Sequence, residues 1–193
     1  MAIEKEIEYK QLLNEDEYNQ LLAAYFSDET SFTQVNYYID TENLDLLNQL
    51  LALRIREKNG NYEMTLKVPA EVGLTEFNFR VDEKPEIDAA ISEDQLPKDI
   101  SNKLKAHDID LSALKVLGSL ETKRYETRHQ DNLIVLDQST YLDQQDFELE
   151  YEVVDAVKGY EAFQAILKAF DITHEIPDNK VKRFFDRKKA LLK

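Results

Sequence analysis

A chain of 193 residues with 42% apolar and 10% aromatic side chains can bury a substantial core, which excludes a disordered chain and fits one domain over residues 1–193. With no cysteine present, disulfides, thiolate metal sites and a cysteine nucleophile are excluded. The formal net charge of −15 repels nucleic acid and anionic membranes over the surface as a whole, yet admits a small anionic substrate wherever basic residues converge.

The first ten residues are Met-Ala-Ile-Glu-Lys-Glu-Ile-Glu-Tyr-Lys, with ionisable groups at alternate positions. Glu4, Glu6, Glu8 and Lys10 fall on one side, with Ile3, Ile7 and Tyr9 between them, which predicts a β-strand with its ionisable groups on one face. Successive carboxylates on such a face lie roughly 7 Å apart and repel by about 2 kcal/mol per neighbouring pair at an effective dielectric near 20. Asn14 before Glu15-Asp16-Glu17 reads as the N-cap of a helix whose apolar stripe is Tyr18, Leu21, Leu22 and Tyr25 or Phe26. A strand follows at about 34–40, and Leu44 to Leu51 is a leucine-rich packing segment.

Leu53-Arg54-Ile55-Arg56 places two arginines on one face, and Asn59-Gly60 is a hairpin signal. The returning strand, Tyr62 to Lys67, and the next, Glu76 to Arg80, interleave apolar and polar positions in the same way. Residues from about Pro85 to Leu117 read as helix and loop, with Pro97 starting a helix to about Ala106. Lys123 to Arg128 is a strand with a further basic pair, Arg124 and Arg128. Asp131-Asn132 is a turn, and Leu133 to Asp137 is a strand ending on a lone carboxylate.

Phe147-Glu148-Leu149-Glu150-Tyr151-Glu152-Val153 then repeats the grammar of the N-terminus, with three carboxylates on one face. Oxygen ligands at that density suit Mg²⁺, Mn²⁺ or Ca²⁺. Gly159 to Phe170 is an amphipathic helix, and a basic helix starts at about Asn179. His107, His129 and His174 are isolated, lack metal-ligand spacing and are expected at the surface. Tyr37-Tyr38 and Phe184-Phe185 are expected in the core, while Glu63 and Arg80 are as easily rim residues as ligands.

The fold expected is α+β: about eight mostly antiparallel strands closing a barrel. Its interior cannot be dry, because burying ionised carboxylates without partners costs several kcal/mol or more each. A wet, charged tunnel with helices packed on the outer apolar surface gives both strand faces a role.

Glu6-Ile7-Glu8-Tyr9-Lys10 resembles the Glu-x-Glu-x-Lys signature of the CYTH superfamily, the triphosphate tunnel metalloenzymes. That superfamily includes inorganic triphosphatases, thiamine triphosphatases and class IV adenylate cyclases. Arg54-Ile55-Arg56, Thr65-Leu66-Lys67, Thr122-Lys123-Arg124, Leu136-Asp137 and Glu148-Leu149-Glu150 are similar to its later elements in the same order. Asn179-Lys180 stands in the place of a family Ser-Lys. The resemblance implies a closed eight-stranded antiparallel tunnel that binds a triphosphate with Mg²⁺ or Mn²⁺.

On that resemblance Lys10, Arg54, Arg56, Lys67, Arg124, Arg128 and Lys180 would clamp phosphate oxygens, arginine preferably in bidentate fashion. Glu6, Glu8, Asp137, Glu148 and Glu150 would hold metal, with Glu152 and Glu4 as outer members; the catalytic set is Glu6, Glu8, Lys10, Glu148 and Glu150. The activity implied is hydrolysis of a small-molecule triphosphate, inorganic triphosphate being favoured. The protein is expected in the cytoplasm, without nucleic acid or membrane, as a monomer or homodimer. The charged start lacks the apolar segment of a signal peptide, and no run reaches the roughly 20 apolar residues that span a bilayer. The alternatives are a class IV-type adenylate cyclase, which would need a nucleoside pocket, and a non-catalytic polyphosphate or nucleotide sensor.

Overall fold

The computed structural model describes residues 2–193. They form β1 (Ala2–Glu6), β2 (Glu8–Leu13), α1 (Glu15–Tyr25), β3 (Phe32–Asp40), β4 (Ala52–Lys58), β5 (Asn61–Pro69) and β6 (Leu74–Val81). There follow α2 (Lys98–Ala106), β7 (Lys115–His129), β8 (Asn132–Tyr141), β9 (Gln144–Glu152), α3 (Ala156–Ala169) and α4 (Lys180–Leu191). The strands hydrogen-bond in the order β1-β6-β5-β4-β3-β7-β8-β9-β2. Among the described residues no helix is long and apolar enough to cross a membrane.

Nine strands stand where about eight were expected, because the N-terminal alternation is divided at Ile7. The reason lies in pairing. β1 joins β6 while β2 joins β9, so consecutive segments serve different neighbours although the period-two pattern runs through both.

The chain divides into two compact units, one of β1 up to Lys5 with Val35–Leu120, the other of Glu6–Gln34 with Glu121–Lys193. In the first, β4, β5 and β6 form successive antiparallel hairpins. Asn59 and Gly60 both take left-handed φ, 52° and 76°, as the two-residue turn signalled by Asn-Gly requires. Leu53, Ile55, Met64, Leu66 and Phe77 turn one face into a buried cluster with Ile100 and Leu104 of α2. Each such side chain stabilises the fold by about 1.5–3 kcal/mol on full burial. That packing commits the opposite face of the same strands to Arg54, Arg56, Thr65, Lys67, Glu76 and Asn78.

In the second unit β7 pairs β8, β8 pairs β9 and β9 pairs β2, all antiparallel. Leu136, Leu149 and Tyr151 bury their side of the sheet against Tyr18 and Leu21 of α1 and Phe163, Ile166 and Leu167 of α3. Asn14 caps α1 in a full capping box with Glu17. α3 begins at Ala156 under an Asp155 cap, three residues before its expected start. The turn between β7 and β8 falls on Gln130-Asp131, one residue earlier than expected, with Gln130 carrying the left-handed φ of 56°.

Candidate metal centre and phosphate-binding residues

Glu6, Glu8 and Glu152 converge in the second unit. Each offers a carboxylate oxygen, and those atoms all lie within 4.8 Å of one another. The register explains the meeting: β2 pairs β9 with Glu8 opposite Glu152, and Glu6 is two residues before Glu8. The sheet therefore forces acids from the two ends of the chain into one cluster. Burial, and then the charges of Glu6, Glu8 and Glu150, push the Glu152 carboxyl up to about 7. Half-buried carboxylates crowded this closely suit a hard divalent cation, whose charge offsets their mutual repulsion.

A second group of acids, Asp137, Glu148 and Glu150, is engaged with cations. Arg124 lies opposite Asp137 and donates to it from Nε and Nη2 at 2.8 and 2.7 Å, while Nη2 also reaches Glu150 at 3.0 Å. Lys180 Nζ is 2.9 Å from Asp137, 3.4 Å from Glu148 and 2.5 Å from Glu150. Burial opposes the Glu150 charge, but Lys180 and Arg124 overcome it and hold its pKa well below the ordinary value. Burial prevails at Glu148 and raises its pKa despite Lys180. Lys10, opposite Glu150 in register, sits 3.1 Å from Glu8. Burial works against its ammonium, but Glu8, Glu150 and Glu148 outweigh that and hold it charged.

One cation in this group, Arg183, is not among the residues expected from the sequence. Arg183, one helical turn after Lys180, donates to Glu148 from Nη2 at 2.5 Å and to Asp146 from Nε at 3.2 Å. Its signal was there: Lys180 and Arg183 are three apart on a helix whose Val181, Phe184 and Phe185 are buried, so both cannot simply be solvated. Asn179, the departure from Ser in the expected Ser-Lys pair, caps α4 by accepting from Lys182 N at 2.9 Å, a role Ser would also fill.

In the first unit Arg54 lies opposite Thr65, which faces Asn78. Arg56 Nε donates to Asn36 Oδ1 at 2.8 Å, and Lys67 is 3.2 Å from Glu76. Among the described residues three buried side-chain atoms lack a hydrogen-bond partner: Gln34 Nε2, Arg54 Nε and Glu148 Oε1. Arg54 and Glu148 lie on strands that carry candidate residues, and Gln34 lies on β3, which carries none.

Other expected residues lie apart from these groups. Arg128 is exposed and stands opposite Leu133, and Glu4, Glu63 and Arg80 are exposed too. The three histidines are half-buried rather than free on the surface. His129 contacts Tyr151 Oη at 2.7 Å, His174 contacts Gln11 at 2.8 Å, and His107 contacts Gln49 at 3.3 Å. Tyr37, Tyr38, Phe184 and Phe185 are buried as expected.

Known proteins share this chain's pattern over nearly its whole length. A Bacillus subtilis (strain 168) protein named "Putative triphosphatase YjbK" is 40% identical over 191 residues, 98% of each chain. A crystal structure described as a putative adenylate cyclase from Bacillus halodurans is 32% identical, covers 96% of this chain and 100% of its own, and superposes with a TM-score of 0.83. A Hippeastrum protein described as a putative adenylyl cyclase with dominant triphosphatase activity shares the fold at 21% identity, a TM-score of 0.74 and 96% coverage of both chains. The CYTH domain family matches residues 4–185, from the first acidic strand through Phe185 of α4, and the chain belongs to that family.

Proposed function

We propose that this chain is a divalent-metal-dependent triphosphatase acting on inorganic triphosphate. The observation that carries the reading is the convergence of Glu6, Glu8 and Glu152 in a protein whose other strand faces are rich in Arg and Lys. Three crowded acids suit a hard cation, and the cations suit the roughly four negative charges of a triphosphate. A CYTH relative named as a triphosphatase at 40% identity supports it.

On this reading Glu6, Glu8 and Glu152 would hold Mg²⁺ or Mn²⁺, which when bound supplies charge neutralisation and Lewis acidity to the phosphate chain. Arg54, Arg56, Lys67, Arg124 and Lys10 bind phosphate oxygens, the arginines through paired N–H groups. Lys180 is shared between the substrate and the acids Asp137, Glu148 and Glu150, so a second cation on those acids would have to displace it. Water attacks the terminal phosphorus in line, the P–O bond to the leaving group breaks, and orthophosphate and pyrophosphate result. Residues 4–185, the stretch that the CYTH family matches, serve as a single domain. We infer a cytoplasmic monomer or homodimer that works on small molecules without nucleic acid, in keeping with the net charge of −15 and the absence of cysteine.

The test is orthophosphate release from inorganic triphosphate, ATP, thiamine triphosphate and pyrophosphate, each with Mg²⁺, Mn²⁺ or Ca²⁺ and with a chelator. Release from inorganic triphosphate that the chelator abolishes is expected. Cyclic AMP and pyrophosphate as the main products from ATP, with inorganic triphosphate intact, would replace hydrolysis by cyclisation. Metal-dependent binding without turnover would make the protein a sensor.

A further inference from the structure

β3 supplies a group that neither the charge pattern nor the signature residues point to. Its apolar positions, Val35, Tyr37 and Ile39, belong to the hydrophobic cluster of the first unit. Period two therefore sends Gln34 and Asn36 to the opposite face. Both amides are almost wholly buried, Gln34 being 3% and Asn36 1% exposed. Asn36 uses its oxygen to accept from Arg56 Nε at 2.8 Å. Gln34 differs: its Nε2 has no hydrogen-bond partner among the described residues.

A buried amide nitrogen without a partner loses its hydration and receives nothing in return, so native folds rarely keep one. A methionine or leucine at position 34 would fill the same volume without that cost. The orphaned amide is thus a feature that folding alone does not explain, and an unsatisfied donor in a polar face is a feature that binding does explain.

We propose that Gln34 is a further substrate-binding residue, donating from Nε2 to an anionic phosphate oxygen of the triphosphate. The proposal rests on the triphosphate reading and adds a residue to it. A neutral amide suits the position because it gives a directed N–H without adding another positive charge to a sheet whose neighbouring strand, β4, already carries Arg54 and Arg56. It also accounts for Asn36, whose oxygen engages Arg56 Nε and so directs that guanidinium along the same polar face.

The experiment compares wild type with Gln34→Met and Gln34→Glu. Inorganic tripolyphosphate binding is followed by calorimetry with Ca²⁺, and thermal unfolding is measured without ligand. Gln34→Met is expected to weaken tripolyphosphate binding about tenfold or more, the worth of one hydrogen bond to a charged group. It should leave the ligand-free Tm unchanged or raised. Gln34→Glu, which exchanges the donor for a negative acceptor, is expected to weaken binding further. Equal affinity in wild type and Gln34→Met would overturn the proposal, and so would a large fall in ligand-free Tm, which marks a purely structural amide. Failure of wild type itself to bind tripolyphosphate would instead overturn the triphosphate reading. Should the variants not fold, the side-chain amide resonance of Gln34 in ¹⁵N-labelled wild type decides. A downfield shift on adding tripolyphosphate supports the assignment, and an unmoved resonance in a protein that binds tripolyphosphate refutes it.

Discussion

Arg124 closes on Asp137 across the β7–β8 pair with two parallel hydrogen bonds, Nε to Oδ1 at 2.8 Å and Nη2 to Oδ2 at 2.7 Å. Asp137 is fully buried, so its charge depends on partners rather than water. A lysine at position 124 keeps the charge but cannot present a planar fork. Arg124→Lys should therefore lower stability by about 1–3 kcal/mol, the cost of leaving a buried acceptor short. Urea unfolding measures this, and a change below about 0.5 kcal/mol would mean that Lys180 alone satisfies Asp137.

The two groups of acids should respond differently to neutralisation. Residues one step removed from a metal typically cost 10–100-fold in affinity when altered, so Glu8→Gln or Glu152→Gln should weaken Mn²⁺ binding at least about tenfold. Glu148→Gln should leave that affinity near wild type and instead destabilise the fold by about 3–5 kcal/mol, since Arg183 and Lys180 lose a buried partner. Mn²⁺ titration by electron paramagnetic resonance, paired with urea unfolding, separates the two. Loss of Mn²⁺ binding in Glu148→Gln alone would move the ion to the second group.

Much of this arrangement is legible in the alternation of residues. A strand packed on one side must sort its side chains by parity, so the faces carrying Glu6 and Glu8, Arg54 and Arg56, and Glu148, Glu150 and Glu152 follow from spacing alone. What spacing cannot show is who stands opposite whom. Glu152 looked like an outer acid, and the β2–β9 register instead sets it against Glu8 in the crowded cluster. The break at Ile7 was invisible because pairing, not periodicity, changes there. Arg183 was hidden for another reason: a basic helix reads as solvated until its apolar side is known to be buried. Gln34 and Asn36 carry no charge and fit any strand, so only their burial and partners distinguish them.

Alkaline stability should be governed in part by Tyr18. Burial foremost, with Tyr125 and Asp137 adding to it, raises the Tyr18 hydroxyl from its ordinary 10 to about 12. Above pH 10 the unfolded chain releases this proton while the folded chain retains it, so ionisation favours unfolding. The stability present below pH 10 is accordingly lost between about pH 10 and 12. Tyr18→Phe keeps the ring that packs on Phe147 with centroids 4.7 Å apart and removes the titration. The variant should match wild type near neutrality and exceed it at pH 11 in urea unfolding. Parallel pH profiles for the two proteins would show that Tyr18 titrates alike in both states.

Gly159 fixes how α3 meets the end of β9. A Cβ added there would come 2.7 Å from Val153 Cγ2 and closer still to its Cβ and Cγ1. The Val153 Cβ belongs to a nearly buried residue whose backbone N–H is tied to Ile7 O at 2.9 Å, so it cannot swing aside like the tip of a long side chain. Alanine in a helix interior normally gains about 1 kcal/mol over glycine. Overpacking against a stiff neighbour costs about 1–3 kcal/mol and opposes that gain. Helix entry is also held in place by Tyr9 Oη donating to Ala156 O at 2.7 Å, which limits any outward shift of α3. Gly159→Ala is therefore expected to destabilise despite its helix propensity. Val153→Gly removes the Cβ and both methyl groups in the way, so the double variant should be more stable than the sum of the single effects by about 0.5–3 kcal/mol. Urea unfolding of all four proteins measures that coupling. Additive effects would mean that the helix tilts away freely and that Gly159 is not a packing constraint.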